Sequence, residues 1–352
     1  MRKVSLIFLV LTFLAAMVGT ASAATYYLRA ESYTMNMPDG TTVTMWGFAQ
    51  DTGFEVGDGV LSVPGPVLTV PPGDASLTIY LENNLPVPIS IIIPGQSTIL
   101  APVTFTDGQG RERVRSFTTE TPANNTTAGE YTWTGLKPGT FLYQSGTHPA
   151  VQVQMGLYGA MTKVDVAGQA YDGSTTYDKE VVLLYSEVDP ALHSAVATGN
   201  YGPGLAMTST IDYHPKYFLV TGSNSISGEI TVLTGDRVLV RFLNAGLMTR
   251  VPVLLGSYLQ LIARDGNLAT YFQDRYSLRL TAGKTMDAII LATANETLYV
   301  SDRRSYVSLG ATSNVALLSA SNNNSAVGVL ASSLTASQNQ ASTGSGGGCF
   351  IS

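Results

Sequence analysis

The sequence is short of the residues that bind metals and of those that bind polyanions. Its 352 residues include one cysteine, Cys349, and three histidines, His148, His193 and His214. A lone cysteine excludes an intrachain disulfide, so the fold must rest on its own core. Acidic residues outnumber basic ones by 25 to 19, and no run of Lys or Arg could follow a phosphate backbone. We therefore expect no nucleic-acid partner.

Long apolar runs are also missing after the N-terminus. The start of the chain has a basic pair, Arg2 and Lys3, then an apolar run, then small residues that end at Ala23. This pattern predicts a signal peptide over 1–23 and export of the mature chain. No other stretch approaches the roughly 20 apolar residues of a spanning helix, so we expect no transmembrane span in the mature chain.

Short catalytic signatures are missing as well. The sequence has no Gly-x-Ser-x-Gly elbow, no phosphate-binding glycine loop and no His-Glu-x-x-His. Glu187 and Asp189 would share one face of a strand, but no nucleophile or base pattern accompanies them. We assign no catalytic residue.

The segments that are present predict an all-β chain. From Thr25 to about Leu309, short runs rich in Val, Ile, Leu, Thr and Tyr alternate with Gly, Pro and Asp, while a 3.6-residue apolar period is rare. This pattern is typical of two successive β-sandwiches. Predicted strands include Val60–Val70, Ser76–Glu82, Glu180–Tyr185, Arg237–Leu243 and Ser277–Thr281.

Composition changes set the domain boundaries. A small, polar, turn-prone stretch from Ala167 to Lys179 separates a first domain, 24–166, from a second, 167–318. Ser, Asn, Ala and Gly dominate afterwards. Such a composition buries too little apolar surface to offset the entropy of ordering, so 319–352 is predicted to be a disordered tail.

Several motifs occur in the order found in multicopper oxidases. They are Val63-Pro64-Gly65-Pro66, the run from Asn83 to Gly95, the run from Gly139 to Gly159, and Gly235 to Gly246. Together they resemble the first two plastocyanin-like domains of that family, over roughly 40–305. The resemblance implies two tandem cupredoxin-like Greek-key β-sandwiches.

The same resemblance locates the family's copper ligands. The two His-x-His pairs of the first domain fall on Ile92 and Pro94 and on Gln144 and Gly146. Three of these side chains have no donor atom, and a glutamine amide is a poor copper ligand beside imidazole or thiolate. The family's third domain, to which the resemblance assigns the type 1 cysteine and the other histidines, is not in this sequence. We therefore expect no bound metal or other cofactor.

Three histidines and one cysteine remain as candidates for other roles. His148 follows the degenerate second pair and could help to hold one metal ion, or it could be a loop histidine. His193 and His214 could complete a three-histidine site across both domains. Cys349 lies in Gly-Gly-Gly-Cys-Phe-Ile-Ser, which resembles tails of some exported proteins of Gram-negative bacteria. It is either an attachment point or part of an unprocessed end.

Three hypotheses follow. The first is an exported, non-catalytic module in the periplasm or on the outer surface of a Gram-negative bacterium, which binds a protein partner or self-assembles. The second is a copper-binding protein or oxidase that uses an unconventional site or a partner-supplied domain. The third is a small-molecule binder in the vacated copper cavity, lined by Ile92, Pro94, Tyr143 and Gly146, because mostly apolar pockets suit small ligands.

Overall fold

The computed structural model describes residues 23–303 except 38, 126, 222–228, 232 and 293–296, together with the strands 315–319 and 327–329. The predicted signal peptide before residue 23, the tail from residue 330 and the Cys349 attachment point lie outside the described residues.

The first half of the chain folds into two main sheets and a hairpin. One sheet has the strand order β2-β1-β4-β7, the other has the order β3-β9-β8, and β5 pairs with β6. Its elements are β1 (Ala23–Asn36), β2 (Thr42–Asp51), β3 (Leu68–Val70), β4 (Ser76–Asn83), β5 (Val103–Thr106), β6 (Glu112–Ser116), β7 (Gly129–Thr134), β8 (Gly139–Gln144), α1 (Pro149–Met155) and β9 (Tyr158–Lys163).

The second half builds a six-stranded sheet in the order β11-β10-β13-β17-β15-β16, which faces β14-β18-β19. A short pair, β12-β20, completes it. Its elements are β10 (Lys179–Val188), α2 (Pro190–Ala197), a 3₁₀ turn (Thr210–Asp212), β11 (Tyr217–Val220), β12 (Glu229–Thr231), β13 (Arg237–Asn244), β14 (Pro252–Leu255), β15 (Leu259–Arg264), β16 (Asn267–Arg275), β17 (Thr285–Leu291), β18 (Thr297–Asp302), β19 (Val315–Ser319) and β20 (Val327–Val329).

Alternating side chains explain the sandwich of the first half. In β4, Leu77, Ile79 and Leu81 are buried while the residues between them are half-buried. Because successive side chains in a strand point to opposite faces, this alternation places one face of β4 against the facing sheet. The same core contains Phe141 and Met161 of that facing sheet. The predicted cupredoxin-like β-sandwich fold is confirmed.

One turn is repeated in the two halves. At the end of β4, the buried Asn83 side chain donates to the Val87 carbonyl at 2.9 Å and accepts from the Leu85 N–H at 3.0 Å. At the end of β13, the buried Asn244 side chain donates to the Met248 carbonyl at 2.8 Å and accepts from the Gly246 N–H at 3.0 Å. These bonds satisfy buried backbone groups where each chain leaves its sheet.

The two halves share an apolar cluster. It joins residues of the first half, such as Met45 and Leu142, to residues of the second half, such as Leu184 and Leu219. Hydrogen bonds cross the same boundary, including one from the Tyr213 hydroxyl to the Gln154 side-chain oxygen at 2.8 Å. The halves are therefore packed together rather than only tethered.

Two predicted strands and two helices differ from expectation. Only Leu68–Val70 of the predicted strand Val60–Val70 is a strand, because Pro64 and Pro66 lack the ladder donor. Residues 277–281 form only isolated bridges, Val253 with Ser277 and Arg250 with Leu280. The short helices α1 and α2 were not predicted, since seven and eight residues carry too little periodicity to detect.

The C-terminal part adds one strand beyond the predicted boundary. Val327–Val329 pairs antiparallel with Glu229–Thr231, so a strand lies inside the segment 319–352 that we predicted to be disordered. The rest of that prediction stays a prediction. No helix in the described ranges is long and apolar enough to cross a membrane.

Candidate functional site

The two groups of degenerate ligand positions meet in the first half. The Ile92 N–H donates to the Gln144 carbonyl at 2.9 Å, and the Gln144 N–H donates back to the Ile92 carbonyl at 2.9 Å. This antiparallel bridge joins the end of β8 to the extended segment that carries Ile92. Two of the positions that align with the family's histidines, Ile92 and Gln144, are therefore neighbours in this structure.

A side-chain contact fills the space between these positions. Gly146 is buried, and a Cβ added to it would lie 2.8 Å from Cγ2 of Ile92 and 3.0 Å from Oγ of Ser90. The isoleucine thus packs directly on the glycine. Pro94 is exposed, so it lies outside this packed contact.

Buried hydroxyl groups surround the same point. The Thr147 hydroxyl lies 3.0 Å from those of Ser90 and Ser116, and the latter two lie 2.8 Å apart. Nearby, the Ser145 hydroxyl donates to the Gln152 side-chain oxygen at 2.5 Å, and the Gln152 amide donates to the Pro88 carbonyl at 2.9 Å. These neutral oxygens bond to one another.

The donor set does not fit copper. Imidazole, thiolate and thioether groups are the copper ligands that proteins use, whereas the groups around Gly146 are hydroxyls, one glutamine amide and an isoleucine. Within the part of the chain that the structure describes, no three His, Cys, Asp or Glu side chains lie together in a way that could hold a metal ion.

The three histidines lie in different surroundings. His148 is exposed with φ of 41°, and its carbonyl accepts the Val151 and Gln152 N–H groups that start α1. His214 is exposed, and its backbone N–H donates to Asp189 at 2.7 Å. His193 is buried in α2. The hypothetical three-histidine site is therefore not assembled among the described residues.

His193 links the two halves. Its Nδ1 lies 2.7 Å from the Thr44 carbonyl of β2, so Nδ1 carries the proton and donates it. Burial lowers the pKa of His193 below its ordinary value, and the Thr44 carbonyl acts in the opposite direction. This histidine is a neutral structural contact at neutral pH.

The acidic pair has structural partners too. Glu187 is fully buried, pairs with Arg250 and accepts the Leu247 and Met248 N–H groups at 2.7 and 2.8 Å. Asp189 caps α2 through its bond from the Ala191 N–H at 2.9 Å. Capping carboxylates and buried ion pairs of this kind hold a fold together, so neither group is free for acid–base chemistry.

A cleft of about 780 Å³ opens beside the hydroxyl cluster. One wall comes from the first half, with Val87, Phe117 and α1, and the other from the end of α2 and residues 199–203. Thr147 and His148 lie in the first wall. None of the four degenerate ligand positions is among the residues that line this cleft.

The predicted cavity lining was wrong in its residues. Ile92, Gly146 and Tyr143 do not line the large cleft. Tyr143 is buried, and its hydroxyl donates to the Pro66 carbonyl at 2.8 Å. Pro94 borders a separate, more polar groove of about 350 Å³ that also contains Asp265 and Lys284. The resemblance located the ligand strands, but it could not show that Ile92 would fill the space between them.

Comparisons with known proteins identify a matching family and a shared fold. Residues 184–331 match the family model described as multicopper oxidase. No curated protein shows a significant sequence match to the chain.

Solved structures show the same fold. A copper nitrite reductase from Nitrosomonas europaea is 18% identical, with 86% of this chain and 95% of that chain covered and a TM-score of 0.62. A blue copper oxidase from the same organism is 14% identical. The match covers 88% of this chain and 85% of that chain, with a TM-score of 0.61. Fet3p, a multicopper oxidase that functions in iron import, is 17% identical with a TM-score of 0.58. The match covers 80% of this chain but only 48% of Fet3p.

Proposed function

We propose that this chain, which resembles the multicopper oxidases in sequence and fold, is an exported binding protein that does no copper chemistry at the family's first-domain ligand positions. The contact between Ile92 and Gly146 carries the proposal. The bridge between Ile92 and Gln144 holds the two segments side by side, while Ile92 packs directly on Gly146. The scaffold is thus kept and its donor atoms are replaced.

Copper loading tests this proposal. Purified protein is incubated with Cu(II) or Cu(I), desalted, and measured for copper per chain and for oxidation of a phenolic substrate. We expect far less than one copper per chain and no oxidation above the buffer rate. One tightly bound copper per chain would contradict the proposal. A His148→Ala variant in the same assay would then show whether this exposed histidine supplies a ligand.

Export is a second part of the proposal. The predicted signal peptide ends at Ala23, and the first strand, β1, starts at that residue and pairs with β4 from Ser76 onwards. A cut after Ala23 leaves almost the whole strand on the mature chain. Intact-mass analysis of protein from the periplasm or the cell surface should give a chain that starts at Ala24, and retention of residues 1–23 would contradict export by this signal.

Attachment through Cys349 extends this proposal. A Cys349→Ser variant should leave the cell surface and collect in the medium, with an unchanged melting temperature because the substitution lies in the predicted tail. A Ser345→Ala variant, four residues earlier, controls for changes in the tail itself and should stay cell-associated. Equal retention of both variants would show that the cysteine is not the attachment point.

A further inference from the structure

The large cleft between the two halves has the build of a ligand site. Its volume of about 780 Å³ lies within the range of pockets that enclose small molecules, about 300–1,000 Å³. Aromatic side chains occur on both sides, with Trp46 and Phe117 from the first half and Tyr201 from the second. Aromatic side chains on both sides give a planar ring a large apolar contact area.

Local hydrogen bonds fix both walls. On one side, α1 starts from His148 and Pro149, and Gln152 of this helix is tied to the Pro88 carbonyl at 2.9 Å. On the other side, the Tyr201 hydroxyl lies 2.9 Å from the Thr210 hydroxyl and accepts the Thr210 N–H at 3.1 Å. A site whose walls are held in this way loses little entropy when it binds.

The charged groups in the cleft neutralise each other. Arg115 donates from Nε to Glu120 at 3.1 Å and also pairs with it through Nη2. The Glu120 side chain is only 8% exposed, so it has little room for a second cation. The Thr147 hydroxyl and the Gln152 amide are already bonded within the protein. The Arg115–Glu120 pair therefore offers a charged ligand no net opposite charge to replace its lost water.

We propose that the cleft formed by Trp46, Phe117, α1 and Tyr201 binds an uncharged aromatic small molecule. The aromatic walls supply the contact area and ring stacking, while the Arg115–Glu120 pair disfavours charged competitors. The proposal stands independently of the proposed function, because it requires no metal and no export.

Two matched probes test the preference for an uncharged ring system. N-phenyl-1-naphthylamine and 8-anilinonaphthalene-1-sulfonate share the same rings and differ by one sulfonate. We expect saturable binding of the uncharged probe at one site, with a Kd at least about tenfold lower than that of the sulfonate. Equal or tighter binding of the sulfonate, or no saturable binding of the uncharged probe, would overturn the proposal. EDTA in the buffer keeps the result independent of any metal.

Matched variants place the site. Ala150 in α1 and Ala191 in α2 are both exposed, and each follows the proline at the start of its helix, but only Ala150 lines the cleft. Ala150→Phe should weaken binding of the uncharged probe by about tenfold or more, whereas Ala191→Phe should leave it unchanged. Equal effects of the two substitutions, with both proteins folded by circular dichroism, would place the probe elsewhere.

Tryptophan fluorescence gives an independent readout. The chain has two tryptophans, and both belong to the core of the first half, but only Trp46 also lines the cleft. Binding of the uncharged probe should quench the emission of the native protein. In Trp46→Phe the quenching should be largely lost while the fluorescence of the probe itself still reports binding. Undiminished quenching in this variant would overturn the assignment of the cleft.

Discussion

At the scale of single residues, the absence of a Cβ at position 146 decides how closely Ile92 packs there. A Cβ there would lie 2.8 Å from Cγ2 of Ile92, a distance at which one of the groups must shift. Ile92 is β-branched and stiff, so it cannot move aside easily. Gly146→Ala is therefore expected to lower the free energy of unfolding by about 1–3 kcal/mol.

A double-mutant cycle checks this contact. Ile92→Ala removes Cγ2 and opens room for the new methyl group. The cost of the double variant, measured by urea unfolding, should fall below the sum of the single costs by at least about 0.5 kcal/mol. Strictly additive costs would show that Ile92 does not occupy the space beside Gly146.

The burial of His193 leads us to expect that the stability of the fold depends on pH. Burial lowers its pKa in the folded protein, so the unfolded chain binds a proton first as the pH falls below the ordinary value of 6.5. Stability from this group is complete above that value and is lost as the pH falls. In His193→Asn, whose amide can still donate to the Thr44 carbonyl, the melting temperature should fall less between about pH 7 and 5.

An exposed histidine provides the control. His214→Asn makes the same substitution at an exposed histidine, so it controls for the loss of an imidazole as such. If His193→Asn and His214→Asn show the same slope, the acid sensitivity comes from other groups.

The sequence predicted some of these residue-level features and not others. The resemblance aligned Ile92 and Gln144 with one site, and their bridge confirms that they are neighbours. The cleft residues escaped prediction because Trp46 and Tyr201 are far apart in the chain and belong to different halves. No local pattern states which distant apolar residues will face each other across a gap.

At the scale of elements, β8 carries one of the polar links between the halves. The Thr140 hydroxyl donates to Asp287 of β17 at 2.5 Å and accepts from Arg241 of β13 at 2.8 Å. Burial raises the pKa of Asp287, and Arg241 opposes this shift. Thr140→Val should therefore lower the free energy of unfolding by about 1–3 kcal/mol, because it leaves buried partners of the hydroxyl without their bond.

The control for this substitution uses another strand threonine. The Thr78 hydroxyl bonds to that of Thr132 at 2.9 Å on a half-exposed face of β4, where water can replace it. Thr78→Val should cost less than about 1 kcal/mol in the same urea titration. Equal costs for the two threonines would argue against a special role of Thr140 between the halves.

Element prediction succeeded for strands with a repeated apolar pattern, and it failed for the two short helices and for the run that contains Pro64 and Pro66. Ser76–Glu82 and Arg237–Leu243 were predicted from their apolar content, and the observed strands end one residue later, at Asn83 and Asn244. The start of helix α2 does have a sequence signal, because Asp189 caps the helix and Pro190 occupies its first turn. Pro190 follows the end of β10 closely and is the first residue of the helix, so this proline is compatible with a strand end as well as with a helix start.

At the scale of the whole molecule, the order of motifs predicted two sandwiches, but it did not predict the apolar contact between them. The shared cluster uses Met45, Leu142 and Leu219, which look like ordinary core residues in the sequence. Their burial against the other half depends on how the sheets are placed, and strand periodicity does not encode that placement. This contact also sets the two walls of the cleft opposite each other.

The end of the folded unit gives the last prediction. Composition placed it near residue 318, whereas Val327–Val329 pairs with Glu229–Thr231 and the family match continues to residue 331. A chain that ends at Ala331 keeps this pair and should melt like the full chain. A chain that ends at Ser319 loses it and should melt about 2–4 °C lower, as expected for a loss near 1 kcal/mol.

A full-length variant separates strand pairing from chain length in this experiment. Gly328→Pro removes a backbone donor and restricts φ in the middle of the three-residue strand that pairs with Ile230. Its melting temperature should equal that of the chain that ends at Ser319 if the strand pair itself stabilises the second half. If both truncated chains and Gly328→Pro melt at the temperature of the full chain, residues after 319 add nothing to the core, and the boundary drawn from composition is the better one.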